Sequence, residues 1–336
     1  MIGTVARLRR SLYGAGVLRS SSLPRPVVSV GNLTMGGSGK TPHVQHLADW
    51  LCCQGFRVAV LSRGYGRKTS GVVWASRGQG AGPEGGISFR ADRVGDEPAL
   101  LASTLPGVAV LVGESRFAAG QQALRAQEID VFLLDDGFQH LSLRRDADLL
   151  LVDAIRGLGN RRPLPFGPLR EPPDHARFAD ALVVTRCPSL EQGKAAAASV
   201  PFPPGRPVAF TRLVPLAIVD REGTQTPLPS SGERNVAAFS GIAQNEQFGE
   251  FLRASGFEVR SFLGFRDHHR YGPADLERIR ISSAGLPVVT TEKDMVRLPA
   301  DVPFPVAALR VGVEFLSGWD ELSGLLLDRI GRRGIQ

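Results

Sequence analysis

Short apolar, β-branched runs recur up to residue 186 of this chain, as PVVSV (26–30), RVAVLS (57–62), VAVLVG (108–113), VFLLDD (131–136), LLLVD (149–153) and ALVVTR (181–186), with helical patterns between them. Strands alternating with helices read as βαβ units and therefore as a parallel, doubly wound sheet. The runs are continuously hydrophobic rather than alternating, as strands covered on both faces must be. The aspartates that close VFLLDD and LLLVD then fall at carboxyl ends of strands, where open α/β sheets bind their ligands. PFPPGRP (201–207) cannot continue a helix or a central strand, and REGTQTPLPSSGER (221–234) is polar and turn-rich. The chain is thus expected to divide into residues 1–206 and a smaller α/β unit, 207–336, built from NVAAFSG, NEQFGEFLRASG, EVRSFLGF, PADLERIRISSAG and PVVTTEKD.

The first strand runs into SVGNLTMGGSGKTPHV (29–44). Against the phosphate-loop template G-x-x-x-x-G-K-[ST], Gly39, Lys40 and Thr41 fill the last three places and Thr34 stands where the first glycine belongs. Gly36 and Gly37 still let the backbone bend and aim its N–H groups inward, so Thr34, Met35, Gly36, Gly37, Ser38, Gly39, Lys40 and Thr41 are expected to cradle the phosphates of a nucleotide. Lys40 would reach the terminal phosphates, the Thr41 hydroxyl would ligate Mg²⁺, and the helix N-terminus beyond adds its dipole. Pro42 is tolerated in that first helical turn. Asp135 and Asp136, adjacent carboxylates at a strand tip, repel one another unless a cation or donors satisfy them; either or both suit Mg²⁺. The expected fold is therefore P-loop NTPase-like: a doubly wound, mostly parallel sheet with a second, smaller α/β domain.

Net charge is +7 with a sequence pI near 9.9, which favours an anionic partner. Residues 1–26 carry Arg7, Arg9, Arg10, Arg19 and Arg25 and no acid, while Val5, Leu8 and Leu12 recur at helical spacing. Residues 1–22 therefore read either as a basic amphipathic segment on a membrane surface or as a solvated arm or helix packed on its own domain. No run is long enough to span a bilayer. Cys52, Cys53 and Cys187 match neither a disulfide framework nor a zinc pattern, and the adjacent pair reads as buried small apolar residues in a reducing compartment. His43 and His46 share a helix face without a third ligand, so they read as packing or helix-surface residues.

SVGNLTMGGSGKTP, LSRGYGR (61–67), VGDEPALLA (94–102), LLDDGFQHLSLRRDADLLLVDA (133–154), LPFGPLREP (164–172), FRDHHRYGPADL (265–276) and VTTEKDMVRL (289–298), in this order, resemble the tetraacyldisaccharide 4′-kinase family. The family pattern also has a non-glycine at the Thr34 place. The resemblance departs at Gln244 and Asn245, where the family often has Asn-Pro, and at a shorter, less apolar N-terminal segment. It implies transfer of the ATP γ-phosphoryl group to the 4′-hydroxyl of a tetraacyldisaccharide 1-phosphate, forming lipid IVA, on the cytoplasmic face of a Gram-negative inner membrane. It further implies Asp96 as general base, with His268 brought from the second domain to orient it or take its proton. Arg170 would stabilise charge on the transferring group and Glu171 would help hold Mg²⁺, unless the two form a surface ion pair. Arg63 and Tyr65 would meet phosphate or sugar, with packing between glycines the other reading of Tyr65; Glu292, Lys293 and Asp294 remain without a role.

Two other classes are compatible with a phosphate loop or a basic surface. A GTP-driven switch or metallochaperone-type protein usually carries N-K-x-D after a late strand, where this chain has VVTRCP. A nucleic-acid-binding module would show a recognised motif or an aromatic-and-basic stripe, and neither is present, so the expected partners are a lipid substrate and a membrane surface, with no nucleic acid and no obligate protein partner.

Overall fold

The computed structural model describes residues 2–78, 91–229 and 234–334. Its strands are β1 (Val27–Asn32), β2 (Val58–Ser62), β3 (Val73–Arg77), β4 (Ala109–Val112), β5 (Val131–Asp135), β6 (Ala147–Asp153), β7 (Ala181–Thr185), β8 (Val208–Val219), β9 (Gln225–Thr226), β10 (Arg234–Ser240), β11 (Phe257–Gly264), β12 (Val288–Thr291) and β13 (Val306–Ser317). All join one sheet in the order β11-β10-β12-β13-β8-β7-β6-β1-β5-β2-β4-β3, with β9 beside β8. Pairing is parallel except at β8–β13, β3–β4 and β8–β9. Every residue of β1, β2, β4, β5, β6 and β7 is buried, the condition inferred from their unbroken hydrophobicity.

The expected junction lies within this sheet rather than between two sheets. β8 starts right after the proline-rich turn, and its residues 208–210 pair with β7 while the rest runs antiparallel to β13. Positions 212–217 of β8 and 310–314 of β13 pair with each other between those flanking ladders, so the two halves of the sheet meet through a two-stranded ribbon. Its register shifts between Arg310 and Val311, opposite Pro215, and again between Phe315 and Ser317.

The chain then crosses back. Helix Trp319–Gly334 places Leu322, Leu326 and Ile330 in the same core as Val44, Leu47 and Leu51 of helix Lys40–Cys53. Trp319 meets Trp50 edge-on at 5.1 Å and tilts against Phe315 at 4.6 Å. Residues 319–334, which the sequence reading put in the unit 207–336, thus pack on helix Lys40–Cys53 of the first half of the chain as well as on Phe315 and β8. Cys53, expected to be buried, is exposed on the last turn of helix Lys40–Cys53, while Cys52 is half-buried against the core.

Candidate functional site

β1 sits between β5 and β6, with Val30 opposite Asp135, so the loop after β1 and the acids after β5 emerge side by side. Only glycine fits at position 31: a Cβ there would lie 2.5 Å from Cβ of Phe138, in the turn that follows the acids. Beyond β1 the loop is held from several sides. Asn32, fully buried, donates through Nδ2 to the Ser38 hydroxyl at 2.9 Å, and its own carbonyl accepts from Gln139 Nε2 at 2.9 Å. The Thr185 hydroxyl donates to the Ser38 carbonyl at 2.9 Å, and Met35 N–H donates to the Pro168 carbonyl at 2.7 Å. Gly36 and Gly39 both adopt left-handed φ, 96° and 77°, which a side chain would oppose.

Helix Lys40–Cys53 follows at once, with Pro42 in its first turn. His43 is buried against the loop and not on the helix surface. Its Nδ1–H donates to the Gly39 carbonyl at 2.7 Å, so Nε2 accepts from the Thr211 hydroxyl at 2.9 Å. Burial pushes this imidazole down to about pKa 4, and it supports the loop as a neutral group. Arg186, just after β7, donates to the Gly37 carbonyl, pairs with Asp153 and reaches Gln244 from the second half. The departure at Gln244 therefore falls on a contact to the phosphate loop.

Lys40 Nζ, buried, donates to Asn32 Oδ1 at 3.2 Å and lies 3.3 Å from Asp136 Oδ1. Asp136 takes a left-handed φ of 55° and accepts from Arg170 at 2.6 Å. Burial works to raise the Asp136 carboxyl, but the Lys40 and Arg170 charges outweigh it and hold the group below the ordinary carboxylate range. Asp135 differs: burial, then Glu97 and Asp136, push it up to about 7. Its Oδ2 accepts from the Ser62 hydroxyl at 3.3 Å, and its buried Oδ1 has no hydrogen-bond partner among the described residues. Such an atom is costly to bury unless a cation or donor arrives.

Asp96 opens helix Asp96–Thr104 and meets the second half of the chain there. His268, held in left-handed backbone at φ 58°, donates from Nδ1 to Asp96 Oδ2 at 2.9 Å. Arg297 Nε donates to the same oxygen at 2.8 Å, and the neighbouring Glu97 accepts from Lys293 at 3.2 Å. Burial would raise the Asp96 carboxyl, yet the His268 hydrogen bond and the Arg297 charge dominate and keep it low. Glu97 is held low by Lys293 and by Lys40, against the opposing effect of its burial; the acidic end of this helix thus lies within electrostatic reach of the phosphate-loop lysine.

Glu171, expected to help hold Mg²⁺, is engaged elsewhere through one of its oxygens. Its Oε2 accepts from Arg10 at 2.9 Å and from His175 Nδ1 at 3.0 Å; burial works to raise this carboxyl, but the His175 hydrogen bond and the Arg10 charge outweigh it and hold it below the ordinary carboxylate range. Arg10 stacks over Phe138 and Phe178, which fixes helix Ile2–Gly14 to the body. Glu171 is therefore a structural anchor, and no part of the competing Arg170–Glu171 ion pair forms. Replacing Glu171 by Ala should lower stability by about 3 kcal/mol, since it strands a buried arginine, and leave Mg²⁺ affinity unchanged. Denaturant midpoints and a metal titration check both.

Tyr65 is 78 % exposed with its ring centroid 6.5 Å from that of His268, so it stands over the gap and is not wedged among glycines. Arg63, expected to meet phosphate or sugar, belongs to a wider positive wall with Arg116, Arg145 and Arg9, which the motifs did not single out. Burial and the Arg63 charge lower Arg116 to about pKa 10, and its Nε has no hydrogen-bond partner among the described residues. Burial together with Arg116, Arg145, Arg9 and Arg63 drives His140 down to about 4. Arg116 and Arg186 carried no signal of their own, whereas Asn32 stands in the SVGNLTMGGSGKTP motif and Arg297 in VTTEKDMVRL, three places after Asp294.

A sequence profile described as tetraacyldisaccharide-1-P 4′-kinase matches residues 1–331. The chain belongs to the tetraacyldisaccharide 4′-kinase family. A tetraacyldisaccharide 4′-kinase of Pelobacter propionicus is 43% identical over 304 residues, covering 88% of this chain and 80% of that one. One from Anaeromyxobacter dehalogenans is 40% identical over 335 residues, covering 96% and 86%. The crystal structure of the kinase LpxK from Aquifex aeolicus in complex with ATP superposes with a TM-score of 0.79 at 34% identity, over 98% of this chain and 96% of that one. Membership in this kinase family makes the chain a phosphotransferase and removes the switch-GTPase and nucleic-acid readings.

Proposed function

We propose that this chain transfers the γ-phosphoryl group of ATP to the 4′-hydroxyl of a tetraacyldisaccharide 1-phosphate, forming lipid IVA, at the cytoplasmic face of the inner membrane. The observation that carries the reading is the 2.9 Å contact of Asp96 with His268, made between the two halves of the chain. A phosphate-binding wall and a carboxylate–imidazole pair facing it are what a kinase for a sugar alcohol needs.

In this reading residues 34–41 hold the triphosphate through backbone N–H groups, and Lys40 and Arg170 neutralise charge as the γ-phosphoryl group moves. The acceptor O–H proton passes to Asp96 while the new O–P bond forms and the bond to ADP breaks. His268 keeps the carboxylate oriented. The residues also fit a magnesium ion: Asp135 has an unpartnered buried oxygen, and the Thr41 hydroxyl is buried at the start of the adjacent helix. Among the described residues no three acidic, histidine or cysteine side chains form a metal cluster, which suits a cation that takes its remaining ligands from phosphate and water. Bound there, Mg²⁺ would neutralise charge on the phosphates. The wall of Arg116 and Arg63 suits the anionic end of the acceptor.

Helix Ile2–Gly14 supports membrane-surface contact, since Val5 is 63 % exposed and Leu8 59 % while Arg10 points inward. No helix among the described residues is long and apolar enough to cross a membrane. Val5→Glu with Leu8→Glu should lower partition onto anionic vesicles about tenfold, in line with losing roughly 1.5 kcal/mol of apolar burial, without changing ATP affinity. Equal partition in a vesicle flotation assay would count against the contact.

The direct test is incubation with γ-labelled ATP and the disaccharide 1-phosphate. Label in a doubly phosphorylated lipid supports the proposal, and label released only as inorganic phosphate overturns it.

A further inference from the structure

Arg297 occupies an unusual place between two carboxylates. Its side chain is 2% exposed, yet it spans the gap between the halves of the molecule. On one side NH1 donates to the Gly241 carbonyl at 2.8 Å and to Asp294 Oδ1 at 3.2 Å. Asp294 is itself immobile: fully buried, it accepts from the Tyr271 hydroxyl at 2.9 Å, the Gly241 N–H at 3.1 Å and the Thr291 hydroxyl at 2.7 Å. On the other side Nε donates to Asp96 Oδ2 at 2.8 Å, and NH2 lies 3.2 Å from His268 Nδ1.

Asp294, with its hydroxyl and amide donors, already supplies the neutralising partner that a buried guanidinium needs. The edge of the fork aimed at Asp96 is therefore in excess of what folding of the second half requires. A carboxylate oxygen only accepts, so the 2.9 Å approach of His268 places the proton on Nδ1, directed at Oδ2. Both donors thus converge on one oxygen of Asp96, and Oδ1 has no hydrogen-bond partner among the described residues.

We infer that Arg297 is a positioning residue for the transfer step: anchored by Asp294 and Gly241, it fixes Asp96 through Oδ2 and so presents Oδ1 to the acceptor hydroxyl. The inference rests on the reading of Asp96 as the base. Arg297 stays charged throughout; the proton leaves the acceptor oxygen for Oδ1, and no proton passes through the guanidinium. Its positive charge lowers the proton affinity of Asp96, so its value lies in aim and not in basicity.

Lysine at this position keeps the charge over Asp294 but cannot bond Asp96 and Gly241 together, because the planar fork is lost. For Arg297→Lys we expect kcat to fall about 30-fold, the scale of a misplaced reacting group, with KM for ATP within about twofold and a thermal midpoint near wild type. Arg297→Gln removes the charge as well. Asp96 then faces only His268, with Lys293 and Glu97 beside it, and the acidic limb of the kcat/KM profile should move to higher pH. A residue serving folding alone would not move that limb. If Arg297→Gln does not fold, Arg297→Lys decides. Wild-type kcat in Arg297→Lys, with Asp96→Asn inactive, overturns the inference and leaves the base assignment standing; turnover retained in Asp96→Asn removes the base assignment itself.

Discussion

Lys40→Ala should lower kcat by about 10³-fold, roughly 4 kcal/mol of transition-state stabilisation by rate arithmetic. Lys40 is buried and already directed at the region between Asn32 and Asp136, so its ammonium is fixed before substrate arrives and little reorganisation accompanies the reaction. Alanine removes that charge and leaves Asp136 with Arg170 as its remaining partner. Loss should appear in kcat more than in KM for ATP, because the loop amides and Arg186 contact remain. Steady-state assay with both substrates varied is the check, and turnover within about threefold of wild type would exclude Lys40 from the transfer.

Asp96→Asn should reduce kcat by at least about 10²-fold, the usual contribution of a general base, while nucleotide affinity persists. The amide is close in shape and its oxygen can still accept from Arg297 and His268, but its NH2 group then faces the acceptor hydroxyl and cannot take a proton. Calorimetric titration with a non-hydrolysable ATP analogue separates binding from turnover. Collapse of binding together with kcat would instead assign Asp96 to holding the nucleotide.

The phosphate loop, its preceding strand and the helix after it were legible because all three are local: one stretch of chain encodes the strand, the glycines and Lys40. Asp135 and Asp136 could be placed for the same reason, as the end of an apolar run. The contact of His268 with Asp96 was implied only by the family resemblance, with His268 brought in from the second domain; here the two are already bonded. Glu171 shows the limit. Arg170 and Glu171 lie in a bend, where Arg170 turns to Asp136 while Glu171 turns to Arg10, and no sequence pattern told this arginine from Arg7 or Arg9. The same holds for the return of helix Trp319–Gly334: its amphipathic pattern demands a core, and either half could have supplied one.

The narrow join through residues 212–217 and 310–314 has a mechanical result. Two hydrogen-bonded strands resist stretching along their axis but offer little stiffness against torsion, and the slips beside Pro215 and at Phe315 reduce it further. This join is least able to resist a rotation of one half against the other, and such a rotation would change the spacing between Asp96 and the turn bearing His268. Alignment at the reacting oxygen is consequently secured by a few side chains bridging the cleft, and the backbone sheet alone does not guarantee it.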